Sequence, residues 1–224
     1  MNMKEKKFKM WALIIVLGVI TVFMISIYMQ ERKQESELSP VAEIKINGLF
    51  LPQPQQITPF NLTNHHGKIF SQENLNGHWT MMFFGFTNCA TVCPTTMVAL
   101  NKMYQSLRKK LPADQLPQIV MVSVDPDRDS VTRMDQYINA FNSDFIGVRA
   151  DIVATVALEK QLHIVAAKLE TDGQGKNHYT INHTADILVF NPKGQLQAVL
   201  SSPHQPDQMV KDYQLIQSAT RTTL

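Results

Sequence analysis

Two cysteines stand where a buried strand is expected to give way to a helix. Residues 79–84 (WTMMFF) are almost wholly apolar, which is typical of a strand covered on both faces. Cys89 and Cys93 follow, and Pro94 suits the first turn of a helix whose apolar residues recur at three- and four-residue steps over residues 94–108. Open α/β folds place their ligand sites at this end of the sheet. This one segment therefore constrains the fold and locates a candidate site.

The rest of the chain continues the alternation of strands and helices. Residues 118–124 (QIVMVSV) predict a second buried strand, and residues 130–141 predict a helix with one apolar face. Further strands are expected near residues 145–148, 164–169, 187–190 and 196–200, helices over residues 151–162 and after Pro206, and a hairpin turn at residues 191–194. Parallel strands followed by an antiparallel hairpin and a closing helix predict an α/β thioredoxin-like sandwich, with a mixed sheet flanked by helices.

The N-terminal segment predicts a membrane anchor. Residues 11–29 carry no charge and, at about 1.5 Å per residue, can cross a bilayer core of about 30 Å. Lysines within residues 1–10 place that tail in the cytoplasm and the rest of the chain in the periplasm, because positive flanks stay inside. The segment is poor in Arg and Ser, unlike an organelle transit peptide, which favours a bacterial inner membrane. A cleaved signal peptide is the competing interpretation.

The composition of the remaining chain predicts a polar tether followed by one domain. Residues 30–56 are polar and contain three prolines, which predicts a periplasmic tether before a domain formed by residues 57–224. The net charge is only +2, and the Lys and Arg residues outside the N-terminus are scattered. A nucleic-acid partner is therefore not expected.

The spacing of Cys89 and Cys93 permits metal binding or a reversible disulfide. If the helix begins near Cys89, residues four apart share one face, so both sulfurs can point to one spot. The start of a helix also favours thiolate over thiol. A structural disulfide or two buried small side chains is the alternative, although so short a loop would stabilise the fold little. A structural zinc site is not expected, because it needs four ligands. A c-type haem is not expected either, because its attachment needs the spacing C-x-x-C-H.

A histidine could supply a third ligand. Two soft thiolates select soft metals, with Cu(I) prominent, and a nitrogen would complete a trigonal site. His183 is the candidate because it lies in INHTADILVF, just before the hairpin strand, where thioredoxin-like folds bring a loop against the cysteine helix. A lone histidine is commonly structural, so the residues alone leave its role open. His65, His66 and His204 are interpreted as surface residues.

Two other groups of residues are interpreted as structural. The acidic segment 125–129 (DPDRD) follows a strand and precedes a helix, so Asp129 or Ser130 is expected to cap the helix while Arg128 pairs with a neighbouring carboxylate. Six methionines fall on core-facing patterns and are expected to pack in the interior, namely Met81, Met82, Met97, Met103, Met121 and Met134.

Four blocks of sequence resemble the SCO/SenC family of copper-binding assembly factors for cytochrome c oxidase. They are residues 67–94 with the C-x-x-x-C-P segment, 123–141 with V-D-P-x-R-D, 145–150 (FIGVRA) and 182–194 (NHTADILVFNPKG). The resemblance implies a thioredoxin-like fold and copper held by Cys89, Cys93 and His183, and it leaves open whether Cu(II) is held as well as Cu(I).

The resemblance also implies a client and partners. It predicts a role in building the CuA centre of cytochrome c oxidase subunit II, by delivering copper, by reducing that subunit's cysteines through the redox dithiol Cys89 and Cys93, or both. Other periplasmic copper carriers or thiol reductants are expected to serve the same site. The chain is thus expected to be a metallochaperone with a possible role as a thiol-disulfide reductase.

Three positions depart from the family pattern. The cysteine loop, residues 90–92, lacks the acidic residue that the family commonly has there, which affects the local field. Asn182 stands where most members have Asp, and Asn88 stands where many have His. The loss of the acidic residue from the loop leaves the redox potential of the two cysteines open. Asn182 brings no charge, so it can alter the basicity of His183.

Two other functions compete with the copper role. A thioredoxin-like oxidoreductase or peroxidase without copper would explain the dithiol. However, residues 181–189 contain no proline of the kind that faces thioredoxin thiols, and Thr87 precedes Cys89 by two residues where a peroxidase needs three. A membrane-bound sensor is the third possibility, and a cytoplasmic tail as short as residues 1–10 argues against it.

Overall fold

The computed structural model describes residues 16–30, 44–170 and 179–222. The chain divides into two units, residues 1–43 and residues 44–224. In the first unit, residues 16–30 form a helix, α1. Among the described residues, no helix combines the length and apolar character that crossing a membrane requires. The predicted cytoplasmic tail, residues 11–15 of the predicted span and residues 31–43 of the predicted tether lie outside the described residues.

The second unit is a mixed sheet flanked by helices. Its strands are β1 (Gly48–Gln55), β2 (Asn61–Asn64), β3 (Ile69–Ser71), β4 (Thr80–Gly85), β5 (Gln118–Ser123), β6 (Ile146–Arg149), β7 (Ala166–Glu170), β8 (Tyr179–His183), β9 (Ile187–Phe190) and β10 (Leu196–Leu200). Its α-helices are α2 (Val92–Arg108), α3 (Val131–Asn139), α4 (Ile152–Gln161) and α5 (Pro206–Thr222). Short 3₁₀ turns cover Gln72–Leu75 and Ala113–Gln115.

The sheet places β4 at its centre. Eight strands pair in the order β1-β10-β9-β4-β5-β6-β2-β3. β4 runs parallel to β5 and antiparallel to β9, and β5 runs parallel to β6. Every residue of β4 is buried, as the apolar run predicted. The cysteine segment therefore leaves the sheet from its most buried strand.

The core confirms the interpretation of the methionines. The six methionines assigned to packing are all fully buried. Helix α2 packs on α5, and the ring of Tyr213 on α5 meets Trp79 edge to face at 6.2 Å between centroids. Trp79 lies directly before β4. These contacts fix α2, which carries Cys93, against the strand that precedes it.

The predicted end of the tether at residue 56 is wrong. Within that segment, Gly48–Gln55 forms β1, which pairs antiparallel with β10. Proline removes a backbone donor, which argues against an interior strand, but an edge strand tolerates it. β1 is an edge strand of the sheet, and its register is irregular between Phe50 and Gln55, where Pro52 and Pro54 lie.

Three further regions differ from the sequence prediction. Helix α2 begins at Val92, not near Cys89, so Cys89 lies in a turn before it. Strands β2 and β3 form an antiparallel hairpin that the sequence did not predict. Strand β8 was also missed, and it pairs with β7 in a separate two-stranded sheet that ends at His183. The predicted hairpin turn between β9 and β10 is confirmed.

Candidate metal centre

Cys89, Cys93 and His183 meet at one point. The Sγ atom of Cys93 lies 3.3 Å from Nε2 of His183, and the backbone N–H of Cys93 donates to Sγ of Cys89 at 3.3 Å. One candidate ligand atom from each of the three residues lies within 4.8 Å of the others. Both cysteines are free thiols. The structure therefore brings together all three site residues expected from the sequence.

The cysteine segment is shaped by the end of β4. Cys89 donates its backbone N–H to the carbonyl of Phe86 at 3.2 Å, which forms a tight turn before α2. A Cβ atom at Gly85 would lie 3.1 Å from Sγ of Cys93 and 2.8 Å from the ring of Phe83. Only a residue without a side chain leaves room here, so Gly85 lets the Cys93 sulfur sit directly on the end of the strand.

Burial sets the protonation of the inner thiol. Cys93 has no exposed surface, and removal from water raises its pKa well above the usual value, with the neighbouring Cys89 adding to the effect. The expectation that the helix start favours thiolate is therefore wrong for Cys93. Cys93 is the second residue of α2, but the favourable helix end does not outweigh the burial.

His183 presents a neutral imidazole to the sulfur. Burial lowers its pKa, which keeps the ring uncharged at neutral pH. Its Nδ1 lies 3.0 Å from the carbonyl oxygen of Thr184, so the proton belongs on Nδ1, and Nε2 keeps a lone pair directed at Cys93. A backbone carbonyl that holds the far nitrogen of a histidine is typical of histidine ligands in metal sites.

Two phenylalanine rings enclose the imidazole. Phe83 and Phe86 meet the His183 ring edge to face, with centroids 6.0 Å and 5.8 Å away. Both belong to β4 or the turn that follows it, so they come from the same segment that delivers the cysteines. The ring is thus held by packing as well as by its hydrogen bond.

Asp125 and Arg128 hold the strand that carries His183. Tyr179, the first residue of β8, donates its hydroxyl to Oδ1 of Asp125 at 2.6 Å, and its carbonyl accepts from Nη1 of Arg128 at 2.9 Å. The guanidinium group lies 3.6 Å above the Tyr179 ring and is paired with the Asp125 carboxylate. We call these three residues the tyrosine clamp. They fix one end of β8, and His183 lies at the other end.

Asp129 holds the loop that carries Cys89. Its buried carboxylate accepts from Oγ1 of Thr87 at 2.5 Å, from the Thr87 backbone N–H at 3.2 Å and from Oγ of Ser123 at 2.7 Å. Burial raises the pKa of Asp129, and these donors oppose that shift. Ser130 caps α3 as expected, by accepting from the Arg133 N–H at 3.2 Å.

The acidic segment therefore does more than the sequence indicated. The predicted cap and ion pair are present, yet residues 125–129 also contact both ligand-bearing segments. The position of this segment in the sequence could have indicated these contacts. The segment directly follows β5, and the parallel neighbour of β5 is β4, which ends at the cysteine loop.

The three departures from the family pattern lie at the exposed rim. Ala90, Thr91 and Val92 are exposed, and none of these residue types carries a charge. Asn182 and Asn88 are exposed as well. These five residues therefore contribute no charge near the thiols.

The sequence also matches a known protein family. The family model described as SCO1/SenC matches residues 51–217, which is most of the chain. The chain belongs to the SCO1/SenC family. A candidate copper-binding protein of Stutzerimonas stutzeri is 30% identical over 158 residues, which cover 70% of this chain and 74% of the relative. A mitochondrial relative from Arabidopsis thaliana is longer, and the match spans only 44% of its length.

Solved structures of SCO1/SenC proteins share the fold. The copper-bound ScoI of Bradyrhizobium japonicum superposes with a TM-score of 0.62 at 28% identity, covering 70% of this chain and 96% of that one. The solution structure of apo Sco1 from Thermus thermophilus gives 0.65 at 30% identity, covering 77% and 98%. The predicted mixed α/β sandwich is confirmed, and the copper held by the first structure agrees with the metal expected from the sequence.

Proposed function

We propose that this SCO1/SenC protein binds copper through Cys89, Cys93 and His183 and delivers it to the CuA centre of cytochrome c oxidase subunit II. The observation that carries the proposal is the convergence of two free thiols and a neutral imidazole nitrogen from segments far apart in sequence. Two soft sulfurs and one nitrogen suit Cu(I) in trigonal geometry.

The difference in burial between the two thiols suggests the order of transfer. Cys93 is fully buried, whereas Cys89 is partly exposed. A client thiol can therefore approach the metal from the side of Cys89. Exchange of ligands one at a time would then move the copper without releasing it to water. Because the pKa of Cys93 is high, its sulfur carries a proton before metal binding, and this proton must leave when the sulfur binds the metal.

The same thiols support a second candidate function, reduction of the client's disulfide. The thiolate of Cys89 would attack one sulfur of the client disulfide, which forms a mixed disulfide and releases one client thiolate. The Cys93 sulfur would then attack Sγ of Cys89 and pass its proton to the departing client sulfur, which releases the second client thiol and leaves a Cys89–Cys93 disulfide. The short contact between the Cys93 backbone N–H and Cys89 Sγ favours this ring closure.

We also propose that residues 11–29 anchor the chain in a bacterial inner membrane, with the copper domain in the periplasm. The support is the uncharged run and the lysines before it. Fractionation of cells that express the full chain tests this location. Retention in membranes after alkaline washing, with the domain protected from protease until the outer membrane is opened, is the expected result; release by the wash would contradict it.

Copper analysis of the reduced, full-length chain tests the main proposal. We expect about one Cu(I) per chain, with X-ray absorption showing two sulfur ligands and one nitrogen ligand. Cys89→Ser or Cys93→Ser should abolish tight binding, and His183→Ala should remove the nitrogen signal. His163→Asn changes an exposed histidine outside the site and is the matched control. An unchanged nitrogen signal in the His183→Ala protein would exclude His183 as a ligand.

A further inference from the structure

A second group of potential metal ligands lies outside the thiol site. His65 and His66 occupy the turn between β2 and β3, and Asp135 lies on α3. One potential ligand atom from each residue lies within 4.8 Å of the others, and Nδ1 of His66 is 3.8 Å from Oδ1 of Asp135. The two imidazole rings are also in contact, with centroids 3.9 Å apart. No residue of this cluster belongs to the thiol site.

His65 is not the surface residue that the sequence indicated. It is only 5% exposed, and its Nδ1 accepts from the Gly147 backbone N–H at 3.1 Å. This hydrogen bond puts the proton of the neutral ring on Nε2. Nε2 is buried and has no hydrogen-bond partner in the part of the chain that the structure describes. A buried polar atom without a partner is costly, which indicates that something else satisfies it.

The turn that carries both histidines is ordered by its own hydrogen bonds. Oδ1 of Asn64 accepts from the backbone N–H groups of His66 at 3.0 Å and Lys68 at 2.9 Å. The backbone N–H of His65 donates to the Gly147 carbonyl at 2.8 Å, which ties the turn to β6. The backbone of the turn is thus held in place without a ligand, so little backbone freedom would be lost on binding.

We propose that His65 Nε2, His66 Nδ1 and the Asp135 carboxylate form a second metal site, for a divalent ion of the Zn²⁺ class. Two imidazoles and one carboxylate are harder ligands than thiolates and suit Zn²⁺ or Cu²⁺ better than Cu(I). On binding, the His65 proton moves from Nε2 to Nδ1, which gives up the hydrogen bond it accepts from the Gly147 N–H and donates instead to the Gly147 carbonyl oxygen 3.3 Å away.

The exposure of the other two ligands gives the ion access. The side chains of His66 and Asp135 are 60% and 40% exposed. An ion can therefore enter from solvent, and water can complete its coordination. The two sites of the protein would then divide metals by chemical type, with Cu(I) at the thiols and a divalent ion at the turn.

A zinc titration tests the second site. The full-length chain carrying Cys89→Ser and Cys93→Ser serves as the common background, because this change removes thiolate binding of Zn²⁺. We expect one Zn²⁺ per chain, with affinity lowered at least about tenfold by His66→Ala and by Asp135→Asn. His163→Asn, which changes an exposed imidazole elsewhere, should leave the affinity unchanged.

The tautomer of His65 gives a second measurement. Nitrogen NMR should show the proton of His65 on Nε2 without metal and on Nδ1 once Zn²⁺ is added. His66 and Asp135 lie at the surface, so their variants are expected to fold, which circular dichroism can verify. Zinc binding that is equally tight in the His66→Ala protein, or a His65 tautomer that zinc does not change, would overturn the proposal. Neither result bears on copper binding by the thiols.

Discussion

The Sγ atom of Cys93 and the Nε2 atom of His183 lie 3.3 Å apart, although 90 residues separate them in the chain. Cys93 is the second residue of the helix that follows the central strand, and His183 ends a strand of the separate two-stranded sheet. Both groups are held uncharged by burial, which raises the pKa of the thiol and lowers that of the imidazole. Copper binding therefore has to replace a proton on the sulfur but not one on the ring nitrogen.

The two thiols are expected to react at different rates. Only the thiolate is nucleophilic, and burial both raises the pKa of Cys93 and shields its sulfur. Cys89 is partly exposed and should be alkylated by iodoacetamide at least about tenfold faster at pH 8. Mass spectrometry of peptides from partly alkylated protein measures this ratio.

Single-cysteine variants provide the control for that experiment. In the Cys93→Ser protein, Cys89 should keep its fast reaction. In the Cys89→Ser protein, Cys93 should stay slow until denaturant is added. Equal rates for both thiols in the folded wild type would contradict the burial seen at Cys93 and the transfer order that rests on it.

The tyrosine clamp is expected to position His183. Tyr179→Phe removes the hydroxyl that donates to the buried Asp125 carboxylate, which should cost about 2 kcal/mol of unfolding free energy. With β8 held less firmly, the affinity for Cu(I) should fall about three- to tenfold. X-ray absorption should show a weaker or more disordered nitrogen contribution, with the two sulfur ligands unchanged.

Tyr213→Phe is the matched control for the clamp. Tyr213 is also a buried tyrosine, and its hydroxyl donates to the Gln115 carbonyl at 2.9 Å. Its loss should lower stability similarly and leave copper affinity unaltered. If both variants weaken copper binding equally, the effect of Tyr179→Phe reflects general loss of stability. The clamp would then have no specific role in positioning His183.

Local patterns were sufficient to predict the central part of the fold. The buried strand before the cysteines, the helix after them and the β9–β10 hairpin all follow from apolar periodicity and turn residues within a few positions. β1 was missed because Pro52 and Pro54 argue against a strand, and only its place at the sheet edge makes them tolerable. Edge position is a property of the whole sheet and cannot be derived from the segment itself.

The candidate site also combines features that local sequence predicts with features that depend on distant residues. Two cysteines four residues apart predict their own proximity, but the contact of His183 with Cys93 depends on β8, which the sequence did not predict. The tyrosine clamp could not be predicted either. The pairing of Arg128 with Asp125 is local, but their hydrogen bonds to Tyr179 span more than 50 residues. The buried state of His65 depends on its neighbour Gly147 in β6, far along the chain.

Gly85 is expected to be essential for the thiol site. An alanine there would bring its Cβ 2.8 Å from the Phe83 ring and 3.1 Å from Sγ of Cys93. Such overpacking should cost about 1–3 kcal/mol of unfolding free energy and displace the sulfur from His183. Copper titration should show a large loss of affinity in the Gly85→Ala protein.

Gly147→Ala is the matched control for Gly85→Ala. Its Cβ would lie 2.7 Å from Ile138 and 2.9 Å from Met134, a similar clash without contact to a thiol. Denaturant unfolding should show comparable destabilisation of the two variants, and only Gly85→Ala should lose Cu(I) affinity. Normal copper binding by a folded Gly85→Ala protein would show that the sulfur can move without harm.

Glu159 is expected to make the stability of the domain depend on pH. This side chain on α4 is buried, and burial raises its pKa from the ordinary 4.5 to about 7. A group with a raised pKa in the folded state supports folding fully at pH values below its unfolded pKa, and this support is lost as the pH rises through the folded pKa. The stability of the wild type should therefore fall between about pH 4.5 and about pH 7.

Replacing Glu159 by glutamine should remove this dependence. At pH 8 the Glu159→Gln protein should be more stable than the wild type by about 2 kcal/mol, because it no longer buries a charge. Below about pH 4 the difference should vanish, since the glutamate is then neutral in both the folded and the unfolded chain. Denaturant unfolding at the two pH values measures the gap, with the exposed Glu73→Gln as control. A gap of equal size at both pH values would mean that Glu159 does not titrate in this range and that packing of the amide explains the gain.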